Sequence, residues 1–508
     1  MSVSPLRPRA VPAQRIAGLV EHLADARLVG DPDVMVSGIT HDSRAVRAGD
    51  LYVARPGLTT HGIAHVAEAL DSGALAVLTD PESVSTAVAA GAASVVGVRD
   101  VKESAGLAAA WVYDDPASSL VVVGITGTNG KTTTSYLVEA GLRAGGHRTG
   151  LIGTIETHIA GEAVPSVRTT PESTDLQALF AVMREHDVTA VAMEVSSHAL
   201  ALGRVSGTRY AVAVFTNLSQ DHLDFHADMA DYFAAKAMLF TPEHAHRGVV
   251  CVDDDWGRRL AEVATIPVTT VGPAPADWTR AEEEVLPDGG RVVLVDGNGR
   301  AHVVETRLPG RFNLQNAAAA YVALLEAGVD GDAARAGLAT MPAVPGRMER
   351  VDAGQPFLAL VDYAHTPEAV ATLLAEARGL TGPQGHVVVV LGCGGDRDRA
   401  KRPMMGAAAA NYADVAVLTN DNPRSEDPDA ILAAMAEGAR GGSAEVVVLP
   451  DRRAAISLAV DRAQPGDVVV VAGKGHEQGQ EYADRVVPFD DRTVVREALR
   501  QHGYAGVA

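Results

Sequence analysis

Val121-Val122-Val123-Gly124-Ile125-Thr126-Gly127-Thr128-Asn129-Gly130-Lys131-Thr132-Thr133-Thr134 is the stretch on which the fold turns. An apolar run, a turn with two glycines, and a continuation through Ser135-Tyr136-Leu137-Val138-Glu139-Ala140 spell buried strand, loop and helix. That order makes a phosphate cradle, because the glycines let backbone approach an anion and the first N–H groups of the helix point at it. Lys131 would add a cation at the terminal phosphates, and the Thr132 hydroxyl offers an oxygen to Mg²⁺. Ile125 stands where the common spacing of such loops has its first glycine. A plain strand-to-helix turn would leave Lys131-Thr132 without a purpose.

Outward from this loop, near-continuous apolar runs recur at 149–154, 188–196 and 210–217, as expected of a parallel sheet buried on both faces. Polar residues gather at their ends: Glu194-Val195-Ser196-Ser197-His198, and Asp221-His222-Leu223-Asp224 after Asn217. A helix over 229–240 carries a solitary Lys236 among alanines, which by itself reads as an exposed surface lysine. Residues 291–307 read as a hairpin around Asp296-Gly297-Asn298-Gly299. Before the loop, 16–116 alternates short strands and helices, interrupted by Asp42-Ser43-Arg44 and by the polar stretch 55–62. After the Pro/Gly linker 342–347, four further strands empty into Asp362-Tyr363, Gly392-Cys393-Gly394-Gly395-Asp396-Arg397, Asp421-Asn422-Pro423-Arg424 and Gly473-Lys474-Gly475-His476-Glu477. That pattern is one ligand-binding edge of a doubly wound sheet. Arginines at two of these loops suit carboxylates, and Glu477 suits an amino group, so a zwitterion with several carboxylates fits.

Sixty-four Asp and Glu against 43 Lys and Arg give a formal charge of −21, which argues against nucleic acid or an anionic membrane as main partner. The 508 residues suggest about three domains. Cys251 and Cys393 lie far apart, so free thiols in a reducing, cytoplasmic compartment are expected. The Pro- and Arg-rich opening, residues 1–15, reads as a disordered arm, and no stretch is apolar enough to span a membrane.

Thr126-Gly127-Thr128-Asn129-Gly130-Lys131-Thr132-Thr133 is similar to the ATP loop of the Mur ligases, cytoplasmic ATP-dependent amide ligases of peptidoglycan synthesis. Together with Asp42-Ser43-Arg44, Glu194–His198, Asp221–Asp224 and Asp421–Arg424, the resemblance runs over nearly the whole chain after the arm. It implies an α/β, three-domain architecture: a UDP-sugar-binding domain at 16–118, a central P-loop parallel-sheet ATPase domain at 119–345, and a Rossmann-like amino-acid-binding domain at 346–508. It implies the reaction in which ATP activates the D-glutamate carboxylate of UDP-N-acetylmuramoyl-L-alanyl-D-glutamate as an acyl phosphate. The amine of meso-diaminopimelate then attacks, in a monomer that uses ATP and Mg²⁺.

Carried over by position, the resemblance places Ser43, Leu58, Thr59 and Thr60 at the UDP-sugar and Thr169, Thr170, Ser196 and Arg204 at the muramoyl dipeptide. It gives Gly127, Thr128, Asn129, Gly130, Lys131, Thr132 and Thr133 to the phosphates of ATP, Asn313 to adenine, Arg347 to the γ-phosphate and Asp362 to the ribose. It makes Thr132, Glu194 and His222 metal ligands, and Lys131, Lys236, His222 and Glu194 catalytic. Arg397, Asp421, Asn422, Pro423, Arg424, Gly473 and Glu477 would bind diaminopimelate, Arg424 standing where lysine-adding relatives carry another residue. Lys236 aligns with a lysine carried as a carbamate, which first requires a neutral amine at a cost of about 4 kcal/mol at pH 7. Leu202 stands where some relatives place a glutamine. The rival readings are a lysine-adding or folylpolyglutamate-type ligase, and a P-loop switch without ligase activity.

Overall fold

A computed structural model describes residues 6–57 and 60–504; Leu58 and Thr59 lie outside the described residues. The chain forms two compact units, one running to Thr279 and including Ala319–Gly337, the other made of Arg280–Ala318 and everything from Leu338 on.

The first unit holds two large sheets beside the short pair Gln14–Arg15 with Met35–Val36. The N-terminal one has the order Arg27–Gly30, Ser94–Gly97, Ala76–Thr79, Asp50–Ala54, Gly38–Thr40, parallel except at its first pair. The larger one centres on Val121–Thr126, flanked by Ala190–Glu194 and Val212–Phe215, both parallel to it. Gly248–Cys251 and Val268–Gly272 extend it on one side. On the other, Thr149–Ile152 leads into the antiparallel Glu156–Ile159 and Glu162–Pro165. The apolar runs are buried on both faces, as the near-continuous hydrophobicity predicts. In this register Glu194 lies beside Ile125, and Phe215 beside Thr126. Three neighbouring parallel strands therefore end together, and their outgoing loops share one edge.

Of residues 1–15, expected to be a disordered arm, those from Arg7 onward are tied down, which corrects that expectation for them. Arg7 donates two 2.8 Å hydrogen bonds to the buried Asp50 carboxylate, Arg9 N–H donates to Glu185, and Gln14–Arg15 pairs with Met35–Val36. A long-range ion pair anchors a segment whose composition alone would leave it unfolded.

In the second unit the sheet order is Glu349–Arg350, Leu358–Asp362, Val468–Ala472, Val387–Leu391, Val415–Leu418, Glu445–Val448, all parallel after the first pair. Alternate side chains of Val387–Leu391 face opposite ways. Val387, Val389 and Leu391 pack with helices Pro367–Gly379, Lys401–Tyr412 and Pro428–Ala439, whereas Val388 and Val390 pack with Arg452–Arg462 and Asp491–Gln501. Gly289–Val295 and Ala301–Thr306 form the expected hairpin.

Candidate active site

The strand Val121–Thr126 passes into the loop at Gly127, whose φ of +150° and packing admit no side chain: a Cβ there would lie 1.9 Å from Thr216 Oγ1. Gly130, with φ of +85°, turns the backbone into helix Lys131–Ala144. The loop is pinned from the neighbouring strand. Asn217 accepts the Asn129 N–H at 2.9 Å, and Thr216 and Asn217 both donate to the Asn129 carbonyl. Sequence reading placed Asn217 at a polar strand end but assigned no role to it or to Thr216; their sign was only their place at the end of an apolar run.

Behind the loop, the fully buried Glu194 accepts from the Thr132 hydroxyl at 3.0 Å, from Thr154 N–H at 2.7 Å and from the Thr154 hydroxyl at 3.0 Å. No lysine or arginine pairs with this carboxylate among the described residues. Thr169 contacts Thr154 through their hydroxyls at 3.1 Å, and Thr170 donates to the Glu194 carbonyl and accepts from Ser196 N–H. Ser196 in turn caps helix Ser197–Ala201. Thr132, Glu194, Thr169, Thr170 and Ser196 are thus joined in one network.

Lys236 corrects the reading of an exposed lysine: it is 1 % exposed, inside the first unit's core. Its Nζ donates to the Gly127 carbonyl at 2.8 Å, the same oxygen that accepts from Lys131 Nζ at 2.9 Å. The Tyr232 ring lies 4.6 Å below it. Burial, reinforced by Lys131, holds the Lys236 amine well below its ordinary range, with Asp221 opposing. His222 sits half-buried in left-handed backbone, φ +55°, with its N–H on Asp221 and its ring edge-on to His198 at 4.8 Å. Burial pushes it to about 4 against the pull of Asp221, with Lys131, His198 and Lys236 lowering it further, so it is a neutral imidazole at pH 7.

Farther along the first unit's surface lies a cavity of about 630 Å³ whose lining includes Ser43 and Thr60. Ser43 donates to Glu68 at 2.8 Å. Arg204 lies 3.1 Å from the buried Glu172, which also takes Arg55 and Arg168. That arginine cluster left no local signal in the sequence.

In the second unit, Asp362 accepts the N–H groups of Met348 and Ala364 at the end of its strand. Arg347 stacks on Tyr363 at 4.4 Å. Gly346 is held so closely that a Cβ would fall 2.2 Å from Gly475 C and His476 N. Asn313 is buried, donating to Pro309 O and accepting from Asn316.

Two strand-end loops, 421–424 and 473–477, meet at a residue the sequence reading did not select, Lys474. It is wholly buried, and its Nζ contacts Asn422 Oδ1 at 2.8 Å, Glu477 at 3.1 Å and Asp421 at 3.4 Å. Asn422 also donates to Glu477 and accepts from Glu481 N–H. Gly473, φ +106°, lets Asp421 come close; a Cβ there would meet its carboxylate at 2.8 Å. After Pro423, Arg424 takes a left-handed φ of +54° and is fixed by Glu481 at 2.7 Å and Gly395 O at 2.8 Å. Arg397 is exposed on the adjoining loop. The cluster mixes fixed cations and carboxylates, the surface a zwitterion requires.

Residues 35–107 match the Mur ligase family catalytic domain, 125–324 the Mur ligase middle domain, and 346–475 the Mur ligase glutamate ligase domain. The chain is 54 % identical over 504 residues to a UDP-N-acetylmuramoyl-L-alanyl-D-glutamate–2,6-diaminopimelate ligase of Streptomyces coelicolor, covering 98 % of each. It is 48 % identical over 490 residues to the protein of that name from Corynebacterium glutamicum, covering 94 % of each. A solved structure of a ligase with the same name superposes with a TM-score of 0.69 at 31 % identity, over 97 % of this chain and all of that one. With a glycine loop backed by a buried carboxylate in one unit, a cluster of fixed cations and carboxylates in the other, and this likeness along nearly its whole length, the chain belongs to the Mur ligase family.

Proposed function

We propose that the chain is the ATP-dependent amide ligase that adds meso-diaminopimelate to the D-glutamate of UDP-N-acetylmuramoyl-L-alanyl-D-glutamate; its relatives are named as ligases of that nucleotide and 2,6-diaminopimelate. The observation that carries this reading is Glu194: a buried carboxylate with no lysine or arginine paired to it among the described residues, bonded to the threonine that follows a phosphate-loop lysine. Its carboxylate oxygens suit Mg²⁺, which Glu194, Thr132 and the neutral His222 would hold. Bound there, Mg²⁺ supplies positive charge to the phosphates of ATP.

The residues divide the rest of the work. The loop Gly127–Thr133 orients the triphosphate with its N–H groups, and Lys131 offsets the charge that builds as a carboxylate attacks phosphorus. Lys236, an amine disposed to be neutral, meets the precondition for a carbamate and is assigned that modification. Ser43, Thr60, Thr169, Thr170, Ser196 and Arg204 are assigned to the muramoyl nucleotide; Leu58 and Thr59 remain expectations outside the described residues. Asn313, Arg347 and Asp362 are assigned to adenine, γ-phosphate and ribose. Arg397, Asp421, Asn422, Pro423, Arg424, Gly473 and Glu477 are assigned to diaminopimelate, to which we add Lys474 as the charge that sets Asn422 and Glu477. The divisions 16–118, 119–345 and 346–508 are retained as the functional segments of a cytoplasmic monomer. No helix among the described residues is long and apolar enough to cross a membrane.

Phosphate release with ATP, Mg²⁺ and the muramoyl dipeptide nucleotide tests this reading, with meso-diaminopimelate compared with L-lysine. The native protein should prefer diaminopimelate strongly, and Arg424→Ala should lower that preference about 100-fold. Equal or greater activity with lysine overturns the substrate, and no amino-acid-dependent release overturns the ligase.

A further inference from the structure

One face of helix Lys131–Ala144 carries Thr132, Tyr136, Glu139 and Arg143, at the spacings that bring side chains into line along a helix. Strand Glu156–Ile159 lays Glu156 and His158 against that face. The Tyr136 hydroxyl donates to Glu156 at 2.8 Å, and His158 meets Glu139 through Nδ1 at 2.9 Å and Glu156 through Nε2 at 3.0 Å. Glu139 also accepts from Arg143 at 2.7 Å and from the Thr149 hydroxyl at 3.1 Å. Its side chain is 4 % exposed, and that of His158 14 %.

A carboxylate only accepts, so both ring nitrogens of His158 must donate, and only the imidazolium does that. Two carboxylates, this cation and Arg143 then balance in charge. A neutral ring leaves a nitrogen lone pair against a carboxylate and one negative charge in excess. Burial lowers the ring's pKa, but Glu139 and then Glu156 outweigh it and hold the ring above its ordinary 6.5. Burial raises the Glu139 carboxyl, but His158 and then Arg143 outweigh it and keep it below its ordinary value. Burial and then Glu156 push the Tyr136 phenol up, so it remains a donor. Strand Thr149–Ile152, paired with this one, brings no ionisable side chain; Glu162 of the next strand lies opposite Ile159, on the other face.

The bend after Ile152 connects this network to Glu194. A Cβ on Gly153 would lie 2.5 Å from Glu194 Oε1, and Thr154 gives Glu194 its N–H and its hydroxyl at 2.7 and 3.0 Å. Thr132, at the head of the helix face, donates to the same carboxylate at 3.0 Å. Helix and bend grip Glu194 from two sides, and the His158 bridge fastens one to the other.

We propose that His158, as an imidazolium between Glu139 and Glu156, is a positioning residue for Glu194, locking the bend that carries Thr154 to the helix that carries Thr132 and releasing it when the ring loses its proton. The lock belongs to the fold and needs no ligand; its effect on catalysis rests on the proposed function. A carboxylate whose partners are fixed beforehand does not have to be ordered when it takes a cation. The folded ring holds its proton more tightly than the unfolded one. The lock therefore contributes fully below pH 6.5 and is lost as pH rises through the folded value.

Hydrogen exchange of the metal-free, full-length protein tests the lock, with native and variant compared at one pH. At about pH 6 the Thr154 amide should exchange about tenfold faster in His158→Gln, and the two rates should converge as pH rises. NMR titration should place the His158 ring above 6.5, and Glu156→Gln should bring it down toward that value. In phosphate release at saturating substrates and Mg²⁺, native kcat should decline over the range of that titration. His158→Gln should start about tenfold lower at about pH 6 and lack the decline. Should His158→Gln fail to fold, Glu156→Gln decides by the same exchange and titration. A ring that titrates at or below 6.5, or Thr154 exchange within about twofold of native in a folded variant, overturns the proposal. Faster exchange with an unchanged kcat profile makes the bridge purely structural and overturns the positioning role. A native protein that shows the pH-dependent exchange but no amino-acid-dependent phosphate release overturns the functional reading instead.

Discussion

An amine on a four-carbon stem ordinarily stays in water as a cation, yet Lys236 is buried with its Nζ on a carbonyl that Lys131 already occupies. Burial first, and then Lys131, depress its folded pKa, so between that value and about 10.4 the unfolded chain binds a proton that the folded chain does not. Stability is therefore reduced throughout that window and recovers as pH rises toward the unfolded value. A residue kept at such a cost is kept for chemistry. In bicarbonate-free buffer at pH 7, Lys236→Met should melt no lower than the native protein, and any advantage should vanish near pH 10. The same variant should lose about 100-fold or more in phosphate release, as a group acting on transition-state charge would. Calorimetric melts at both pH values check the first claim; a methionine variant that melts several degrees lower at pH 7 would mean that the amine stabilises the fold. None of this was legible locally. Ala234, Ala235, Ala237 and Met238 around Lys236 say helix, but which face is covered depends on the Gly127 loop 109 residues away.

Among elements, helices Arg452–Arg462 and Asp491–Gln501 are joined at their first residues. Arg452 donates to both oxygens of Asp491, at 2.8 and 2.6 Å, and to the Ala472 carbonyl at 2.9 Å, with both side chains wholly buried. Ala472 ends the strand that delivers Gly473–Glu477, so the pair fixes the root of the Lys474 cluster. Removing one partner leaves an uncompensated buried charge, so Arg452→Ala should cost about 3–5 kcal/mol in urea unfolding, and Arg452→Met with Asp491→Leu much less. A single variant within about 1 kcal/mol of native would show that water reaches the pair. Strands such as Val387–Leu391 were legible because burial on both faces demands an unbroken apolar run. The loop Gly127–Thr133 was legible because glycine there has a steric reason. The antiparallel strands Glu156–Ile159 and Glu162–Pro165 were not, since one is largely polar and half-exposed. Nor were the pairs Arg452–Asp491 and Arg55–Glu172, whose partners lie 39 and 117 residues apart and leave no periodicity.

For the molecule as a whole, acidification sets two effects against each other. Net charge shrinks from −21 toward zero near the sequence pI of 5.2, which relieves self-repulsion. Against this stand histidines kept neutral by the fold. His41 and His222 are pushed to about 4, chiefly by burial. His476, next to Tyr363, is pushed to about 3 by burial and then by Arg347 and Arg492. Each titrates near 6.5 when unfolded, so its stabilising contribution is complete above that pH and is lost as pH falls toward the folded value. Asp175 works the other way: burial and then Glu172 raise it to about 6, so from there down to its unfolded value acidification favours the fold. Near pH 5 that gain offsets about one histidine. The other two would each cost about 2 kcal/mol between pH 6.5 and 5, and partial exposure reduces the sum to roughly 2 kcal/mol. Surface repulsion at moderate salt is screened over about 10 Å and is the smaller term. Urea unfolding should therefore show stability falling from pH 6.5 to 5 although the protein is nearing its isoelectric point. His476→Gln should flatten that slope by about half. A stability that rises over this interval would mean that these imidazoles take up protons without loss of the fold, and that repulsion governs.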